Sequence, residues 1–463
     1  MIIWPLKGLE ESRWLAIKEH LQAVAEKVLN IATDQGVDAE AFLLHNRELS
    51  IEVNNAQVET LKQAEEIGLG IRIIKNGCLG FTYTSDLADN AIITAVKNAI
   101  NIAQFTTPDE HNSLPKKQEN YPELGFLYDD EFNTINIDEK INLAKRVEEI
   151  AQNYDNRIKI VESATYEDTE FSSLIVNTNG LYACEKANYG GIYVFLVAEE
   201  QGIAENGYAM MVNRKLYDIN PELVAKEAAQ NALRSLNAKR IDSAQLPSIM
   251  EPYIMTKFMG LIAQMINANA VQKGKSLFAN KEGEIVASPI FNLVDDGLLQ
   301  DGIASFPFDS EGVGSRKNDI ITKGILQGFL YDTYTANKAG INSTGNAARG
   351  SFRGLPTVGT TNFTILPGDK TPKSLISDIE KGFYITEVMG MHTANPVSGD
   401  FSVGAAGIMI EQGELTYPVR GVTIAGNLID FLQDIDAIGN DIRFFGGRSS
   451  PTIRLKSLSI GGE

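Results

Sequence analysis

Histidine and cysteine are the residue types that most often bind zinc or act as nucleophiles, and this sequence contains few of either. Its histidines are His20, His45, His111 and His392, and no two of them lie within five residues of each other. A metallopeptidase helix places two histidines on one side, about one turn apart, next to a carboxylate that acts as the base. No Gly-x-Ser-x-Gly segment provides a serine nucleophile either. We therefore expect structural or solvent-exposed roles for the four histidines.

Two groups of acidic residues are further candidates for chemistry. Asp295 and Asp296 precede a glycine, and a second group follows an aromatic run at Asp309, Ser310, Glu311 and Gly312. Paired carboxylates can share a proton or bind a cation. Asp-Asp-Gly and Asp-Ser-Glu-Gly are also favourable turn sequences. We favour the turn interpretation for both groups.

Composition excludes several classes of protein. The 463 residues are 43% hydrophobic and 22% charged, and the net charge of −19 argues against direct nucleic-acid binding, which depends on Lys and Arg. No run approaches the ~20 apolar residues that cross a bilayer, so we expect no membrane segment. The cysteines, Cys78 and Cys184, are not spaced as a pair and are expected to be free thiols in a reducing cytoplasm.

The first half of the chain predicts an α+β fold of antiparallel sheets backed by helices. A helix is expected over 10–35, strands over 39–83 with Asn-Asn and Asn-Gly turns, and a second helix from about residue 86. The same layout starts again near residue 160 and ends in a helix with Asn220 as its N-cap and Pro221 in its first turn. The repetition is compatible with a duplication, and equally with two unrelated sheets that are each backed by a helix.

The second half is rich in glycine and is expected to be mainly β with short helices. Gln412 and Gly413 lie between two strand-like runs and predict a hairpin turn. The short helices are predicted near 256–267, 332–340, 373–381 and 427–434. Residues 105–136 predict an exposed connection inside the first half. We therefore predict an N-terminal domain over 1–240 and a C-terminal domain over 241–463.

Several segments, taken in order, resemble the TldD/PmbA family, which is also called modulator of DNA gyrase. Residues 308–340 resemble its central signature, 397–428 its second signature, 451–462 its last strand and 57–87 its N-terminal domain. The signature residues to which the resemblance assigns a structural or peptide-binding role are Asp309, Ser310, Glu311, Gly312, Gly399, Asp400, Gly426 and Asn427.

The family has two branches, which the zinc ligands distinguish. The TldD branch has an H-E-x-x-x-H helix just before the central signature and a cysteine ligand near the C-terminus. Here residues 252–281 contain no His, Asp, Glu or Cys, and the stretch 436–447 has no cysteine. The resemblance therefore implies the TldE/PmbA branch, with neither a catalytic residue nor a zinc cofactor in this chain. The former zinc helix then corresponds to Phe258, Met259, Gly260, Leu261, Ile262 and Ala263.

The resemblance implies a cytoplasmic, non-catalytic subunit of a TldD/TldE zinc metalloprotease that acts on unfolded or peptide substrates. Its expected partners are a TldD-type subunit and, when alone, a second copy of itself. Two alternatives stay open: a stand-alone hydrolase of unrecognised mechanism, and a protein-binding modulator related to gyrase. A glycine-rich β half would suit peptides that bind by strand addition.

Overall fold

The computed structural model describes residues 4–463, with side chains from Arg13 onward. The helices are α1 (Trp4–Asp34), α2 (Asp89–Ala103), α3 (Glu131–Thr134), α4 (Ile137–Gln152), α5 (Pro221–Leu233), α6 (Pro252–Met265), α7 (Ala268–Gln272), α8 (Thr333–Ala339), α9 (Pro372–Ile376) and α10 (Leu428–Gln433). The strands are β1 (Asp38–Asn54), β2 (Gln57–Lys75), β3 (Cys78–Thr84), β4 (Ile158–Asn177), β5 (Tyr182–Glu200), β6 (Ile203–Asn213), β7 (Ala244–Met250), β8 (Leu293–Asp296), β9 (Lys317–Thr322), β10 (Ile325–Leu326), β11 (Ala347–Ala348), β12 (Thr357–Val358), β13 (Asn362–Ile365), β14 (Lys381–Met389), β15 (Asp400–Glu411), β16 (Glu414–Asn427), β17 (Ile435–Ile438), β18 (Arg443–Phe445), β19 (Arg448–Ser450) and β20 (Ile453–Gly461).

The strands of the first half form one continuous antiparallel sheet in the order β3-β2-β1-β4-β5-β6. The two predicted sheets are therefore halves of a single sheet, joined where β1 pairs with β4. Helices α1 and α2 pack on β1–β3 around one apolar core. Helices α4 and α5 pack on β4–β6 around a second core. The predicted α+β class is confirmed.

The predicted repetition extends to one shared packing detail. In β3, a Cβ on Gly80 would lie 1.9 Å from the carbonyl oxygen of Ala99 in α2. In β6, a Cβ on Gly207 would lie 2.0 Å from the carbonyl oxygen of Ala228 in α5. Both halves thus have a glycine on their third strand where the following helix makes its nearest approach.

Local signals predicted several elements correctly. Asn76 and Gly77 have φ of 52° and 78°, and Gln412 and Gly413 have φ of 51° and 77°, so these two predicted hairpin turns are present. The predicted Asn54-Asn55 turn is centred one residue later, on Asn55 and Ala56. The side chain of Asn220 accepts a hydrogen bond from the Leu223 N–H at the start of α5.

Two features of the first half differ from the sequence prediction. Helix α4 was not predicted, although Asn136 caps it by accepting from the Glu139 N–H. Residues 105–136 are not simply exposed. The Tyr121 hydroxyl donates to the Gly312 carbonyl at 2.7 Å, and Gln118 accepts from the Gly314 N–H at 2.9 Å. The connection therefore contacts the second half of the chain.

The second half is mainly β with short helices, as predicted. Strands β16, β15, β14, β7 and β20 close into a barrel through a further pairing between β16 and β20, with β17 beside β20. A second sheet runs in the order β10-β9-β8-β13-β19-β18, and its apolar side chains share one core with the barrel. No described helix is long and apolar enough to cross a membrane. The division of the chain after residue 240 stays a prediction.

Candidate functional site

Helix α6 occupies the window where the resemblance implies a zinc helix, and one side of it is part of the apolar core. Phe258, Met259 and Ile262 are fully buried and Leu261 is nearly so. The Phe258 ring stacks on Phe431 with a centroid distance of 4.8 Å. The C-terminal half therefore uses this side of α6 for packing.

A second side of α6 faces strands β18 and β19. Tyr253, Lys257 and Gly260 are spaced four and three residues apart, so they form one stripe on the helix. The Tyr253 ring lies 5.2 Å from the ring of Phe445 in β18. A Cβ on Gly260 would lie 3.0 Å from Arg448 Nη1. The structure thus brings together α6 and the stretch 436–447, the two windows in which the family's zinc ligands were expected.

Cations, and not metal ligands, line this contact. Lys257 Nζ donates to the Val388 carbonyl at 3.3 Å, and Arg448 Nη1 donates to the Thr256 carbonyl at 3.5 Å. Burial lowers the pKa of both side chains. Zinc in proteins binds thiolate, imidazole and carboxylate groups, and within residues 13–463 no three such side chains cluster as a metal site. The residues present do not fit a zinc ion.

The stripe borders a cleft of about 450 Å³ between the two halves of the chain. Strand β6 forms one wall, and α6, β14 and β18 contribute to the other. Three ion pairs line it: Arg234 with Glu251, Arg420 with Glu205 and Arg443 with Glu227. No local motif in the sequence marks these residues, because they come from distant segments.

The central signature lies elsewhere and contributes to a buried charge network that joins the halves. Arg72 of β2 donates from Nη1 to Glu311 Oε1 at 2.7 Å and from Nη2 to Glu40 Oε2 at 2.5 Å. Arg349 forms an ion pair with the other oxygen of Glu40. Glu311 Oε2 accepts from the Thr333 N–H at 2.8 Å. Two carboxylates and two guanidinium groups thus alternate across the contact between the N-terminal sheet and the C-terminal half.

Asp309 forms the predicted turn and lies next to the buried charge network. Its carbonyl accepts from the Gly312 N–H at 2.9 Å, and Gly312 has a φ of +78°. Its side chain accepts three backbone N–H groups, those of Glu311, Val313 and Ala347. Burial and the neighbouring Glu311 carboxylate raise the pKa of Asp309 to about 7. Burial acts in the same direction on Glu311, but Arg72 and hydrogen bonds from Thr333 hold the pKa of that carboxyl below its usual value.

Ser310 belongs to the same turn and bonds through its backbone. Its N–H donates to the Ala347 carbonyl at 2.9 Å, and its own carbonyl accepts from Arg349 Nε at 3.0 Å. These contacts hold the turn in place beside the charge network.

The turn interpretation of the other acidic pair is right for one residue and wrong for the other. Asp296 accepts from the Leu298 N–H at 2.9 Å, which is a turn contact. Asp295 is a fully buried residue of β8 and accepts from Asn346 Nδ2 at 2.6 Å and from the Thr361 N–H at 2.7 Å. It therefore anchors buried strands and does not form a turn.

The second signature closes one end of the barrel hairpin β15–β16. Asn427 caps α10 by accepting from the Ile429 N–H at 3.1 Å, and its Nδ2 donates to Asp400 Oδ1 at 3.0 Å. Gly399 has a φ of +81°, and a Cβ there would lie 2.4 Å from Leu277. A Cβ on Gly426 would lie 3.2 Å from the Phe401 ring. These contacts are structural, and the two signatures have different neighbours.

The remaining histidines and cysteines form no shared site. His45 Nε2 bonds to Glu65 Oε1 at 2.7 Å, while His20 and His392 are exposed and His111 is half-buried. Cys78 and Cys184 are free. Burial raises the pKa of the Cys184 thiol to about 11, which disfavours the reactive thiolate.

Comparison with known proteins identifies the family. Residues 39–103, 130–236 and 243–462 match domain 1, the central domain and the C-terminal domain of the PmbA/TldA metallopeptidases. The chain belongs to the PmbA/TldD metallopeptidase family. The resemblance inferred from its segments is thereby confirmed.

Relatives along the whole chain place it with the PmbA/TldE type. It is 28% identical to Metalloprotease PmbA of Escherichia coli O157:H7 over 97% of both chains. It is similar to the structure of a proposed modulator of DNA gyrase from Thermotoga maritima, with 28% identity, a TM-score of 0.88 and coverage of 95% of this chain and 100% of that one. TldE from Thermococcus kodakarensis has the same fold, with a TM-score of 0.86, 22% identity and coverage of 96% of this chain and 100% of that one.

Proposed function

We propose that this chain is the non-catalytic subunit of a TldD/TldE-type zinc peptidase that acts on unfolded or peptide substrates in the cytoplasm. It pairs with a TldD-type subunit and forms a homodimer when alone. The observation that carries the proposal is the side-chain content of the contact between α6 and strands β18 and β19, where Lys257 of α6 and Arg448 of β19 lie and no set of metal ligands is present among residues 13–463.

Zinc hydrolysis needs ligands, an open coordination position and a carboxylate that activates the bound water. In this chain one side of α6 is buried apolar surface, and Lys257 of α6 and Arg448 of β19 lie beside the helix on its other side. A divalent cation next to two positive groups would be repelled, and burial strengthens that repulsion. The contribution of this subunit is therefore to bind and position, while the partner supplies the zinc.

Metal analysis of the purified chain tests the first half of the proposal. We expect much less than one zinc per chain after mild purification, with the TldD-type partner as a positive control prepared in parallel. One tightly held zinc per isolated chain would contradict the proposal.

Reconstitution tests the second part of the proposal, the pairing with a TldD-type subunit. Light scattering should show a dimer of the isolated chain and a heteromeric complex after a TldD-type chain is added. The mixture should cleave an unstructured peptide, and a chelator should abolish the cleavage. If the isolated chain cleaves the peptide and the chelator has no effect, the stand-alone hydrolase is correct instead.

A further inference from the structure

A second cavity, of about 290 Å³, lies between the N-terminal sheet and the C-terminal half of the chain. Strands β1 and β4 form one of its walls, where Leu44 is the register partner of Ser173. Phe171 and Ser173 lie on the opposite side of β4 from Leu174, which packs in the core between the sheet and helices α1 and α2. The cavity therefore lies on the face of the sheet that carries no helix.

Four phenylalanine rings line this cavity. The Phe306 ring stacks on Phe171 with a centroid distance of 5.7 Å and meets the Phe308 ring edge-on at 4.9 Å. The fourth ring, Phe42, lies 4.7 Å from the Arg349 guanidinium. Phe171 and Phe306 are half-buried, so part of each ring is still accessible to a ligand. Aromatic side chains pack well at such distances, so this lining favours a further aromatic ring.

The charged residues of the lining are Asp309 and Arg349, and both are already engaged. The Asp309 carboxyl group accepts three backbone N–H groups. Arg349 donates to the Ser310 and Gly354 carbonyls and forms an ion pair with Glu40. A phosphate or carboxylate that entered the cavity would lose its hydration without gaining a free cation. The cavity therefore favours a neutral ligand.

Two buried hydroxyl groups on the wall lack a partner. Ser173 and Ser315 are 7% and 8% exposed, and neither hydroxyl forms a hydrogen bond with any residue from 13 to 463. The Ser315 N–H donates to the Pro307 carbonyl at 3.1 Å, which places this serine beside the aromatic run that lines the cavity. Buried hydroxyls normally have a hydrogen-bond partner. A ligand with a hydroxyl group on an aromatic ring would provide one.

We propose that this cavity binds the side chain of a tyrosine in a peptide. The ring contacts Phe171 and Phe306, and the phenol bonds to Ser173 or Ser315, since a phenol can both donate and accept. A cavity of about 150 Å³ holds a benzene ring, so a volume of about 290 Å³ has room for the phenol and its Cβ. The inference rests on the proposed function, in that this subunit binds and positions peptide, and it names the side chain that the site selects.

Calorimetric binding of blocked peptides to the isolated chain tests the proposal. The probes are N-acetyl-Ala-Ala-Tyr-Ala-Ala-amide and the same peptide with Phe or Ala in the central position. Burial of the ring should make the Phe peptide bind at least about tenfold more tightly than the Ala peptide. The hydrogen bond of the phenol should make the Tyr peptide bind about fivefold more tightly again.

Variants of the wall separate the two contributions. Ser173→Ala combined with Ser315→Ala should abolish the preference for Tyr over Phe and retain the preference for Phe over Ala. Thr360→Trp adds a large side chain at a half-buried position of the wall and should weaken binding of the Tyr peptide at least about tenfold. The matched controls are Ser163→Ala in β4 and Thr107→Trp on the surface. Both positions lie outside the cavity, so these variants should bind the Tyr peptide like wild type.

Thermal melting should show that the variants stay folded, and a competition experiment on the wild type needs no variant. Millimolar p-cresol, which carries the tyrosine ring alone, should displace the Tyr peptide. Equal binding of the three peptides, unchanged preferences in the wall variants, or no displacement by p-cresol would overturn the inference. Binding of p-cresol without binding of the Tyr peptide would assign the cavity to a small phenol instead. Light scattering with a TldD-type chain is independent of these results, so failure of the proposed function and failure of this inference can be distinguished.

Discussion

At the scale of single residues, the Arg72 guanidinium shows how the two halves are joined. Two of its nitrogens bind Glu311 and Glu40, and its Nε is buried without a partner. A buried donor without an acceptor costs free energy, so this nitrogen reduces the stability that the network contributes. We infer that the network favours one arrangement of the two halves, because Arg72 meets Glu311, and Glu40 meets Arg349, only in that arrangement.

Removing one member of this network should destabilise the chain strongly. Arg72→Met leaves Glu40 and Glu311 buried with fewer positive partners, and we expect a loss of about 3–5 kcal/mol in the free energy of unfolding. Urea unfolding measures the loss. The control is Arg240→Met, which removes an exposed ion pair with Glu463 and should change the free energy by less than about 0.5 kcal/mol. If the two variants unfold alike, the network does not hold the halves together.

Asp295 should make stability depend on pH. Burial is the main cause that raises its pKa to about 6, against the lowering effect of hydrogen bonds from Asn346 and Thr361. An unfolded Asp has a pKa of about 4, so between pH 4 and 6 the native state retains a proton that the unfolded chain has released. Stability due to this group is therefore highest below pH 4 and falls as pH rises to 6.

The measurement compares wild type with Asp295→Asn, which cannot titrate. Two pH units correspond to about 3 kcal/mol, so the wild type should lose roughly that much unfolding free energy relative to the variant between pH 4 and pH 7. A difference between the two proteins that stays constant with pH would contradict the raised pKa.

The sequence could indicate the acidic pairs but not their environments. Asp-Ser-Glu-Gly predicts a turn from local preference, and the turn is present at Asp309. Nothing near Glu311 in the sequence indicates that Arg72 will be its partner, because that contact exists only once β2 meets the C-terminal half. The same holds for Asp295, whose partners Asn346 and Thr361 lie far along the chain.

At the scale of elements, Gly80 and Gly207 mark equivalent contacts between a strand and the following helix. At both positions an added Cβ would meet a helix backbone carbonyl, Ala99 or Ala228, well inside van der Waals distance. A backbone atom cannot rotate away as a side chain can, so the helix as a whole would have to shift. The repeated contact favours the duplication over the alternative of two unrelated sheets.

Alanine at either glycine should therefore destabilise its half of the sheet. We expect Gly80→Ala and Gly207→Ala to cost about 1–3 kcal/mol each, because overpacking forces backbone shifts. Differential scanning calorimetry should show lower melting temperatures for both. Gly125→Ala is the matched control, since a Cβ there would have no neighbour within 4 Å. If Gly80→Ala or Gly207→Ala melts at the same temperature as the control, the helix does not pack closely against that glycine.

Element prediction succeeded where the signal was local. The turn at Asn76 and Gly77 and the cap of α5 at Asn220 depend on neighbouring residues only. Helix α4 was missed because its buried side is weakly apolar: small Ala144 and Ala151 alternate with the buried charged residues Lys140 and Glu148. The sequence also did not indicate that the two predicted sheets form one sheet, because no residue near β1 or β4 signals that these two strands pair.

At the scale of the whole molecule, the contact between α6 and strands β18 and β19 depends on segments that meet only in the folded chain. Helix α6 and strands β18 and β19 are separated by most of the barrel in sequence, yet Arg448 lies against Gly260. The sequence showed that the ligands were missing from both windows. It could not show that cations would lie at the contact, because neither Lys257 nor Arg448 belongs to a motif.

Introducing the H-E-x-x-x-H residues should therefore not create zinc binding or peptidase activity. The motif can be introduced in two registers. The first consists of Met259→His, Gly260→Glu and Gln264→His. Because Met259 is fully buried and Gln264 is exposed, this register puts one histidine in the core and the other on an exposed side. The next register, Gly260→His with Leu261→Glu and Met265→His, places the first histidine against Arg448 and the second in the core. In both, a third ligand is missing, and buried polar side chains without partners cost stability.

We expect both triple variants to bind no stoichiometric zinc, to melt below wild type and to leave an unstructured peptide intact in the presence of zinc. Cobalt titration followed by absorption spectroscopy detects a tetrahedral site directly, so it reports on metal binding even where activity is absent. Gln264→His alone changes only an exposed position and should melt like wild type. A triple variant that binds one cobalt per chain and cleaves the peptide in a chelator-sensitive way would show that the cations beside α6 do not prevent metal binding. The chain would then provide a scaffold that supports metallopeptidase chemistry once the ligands are present.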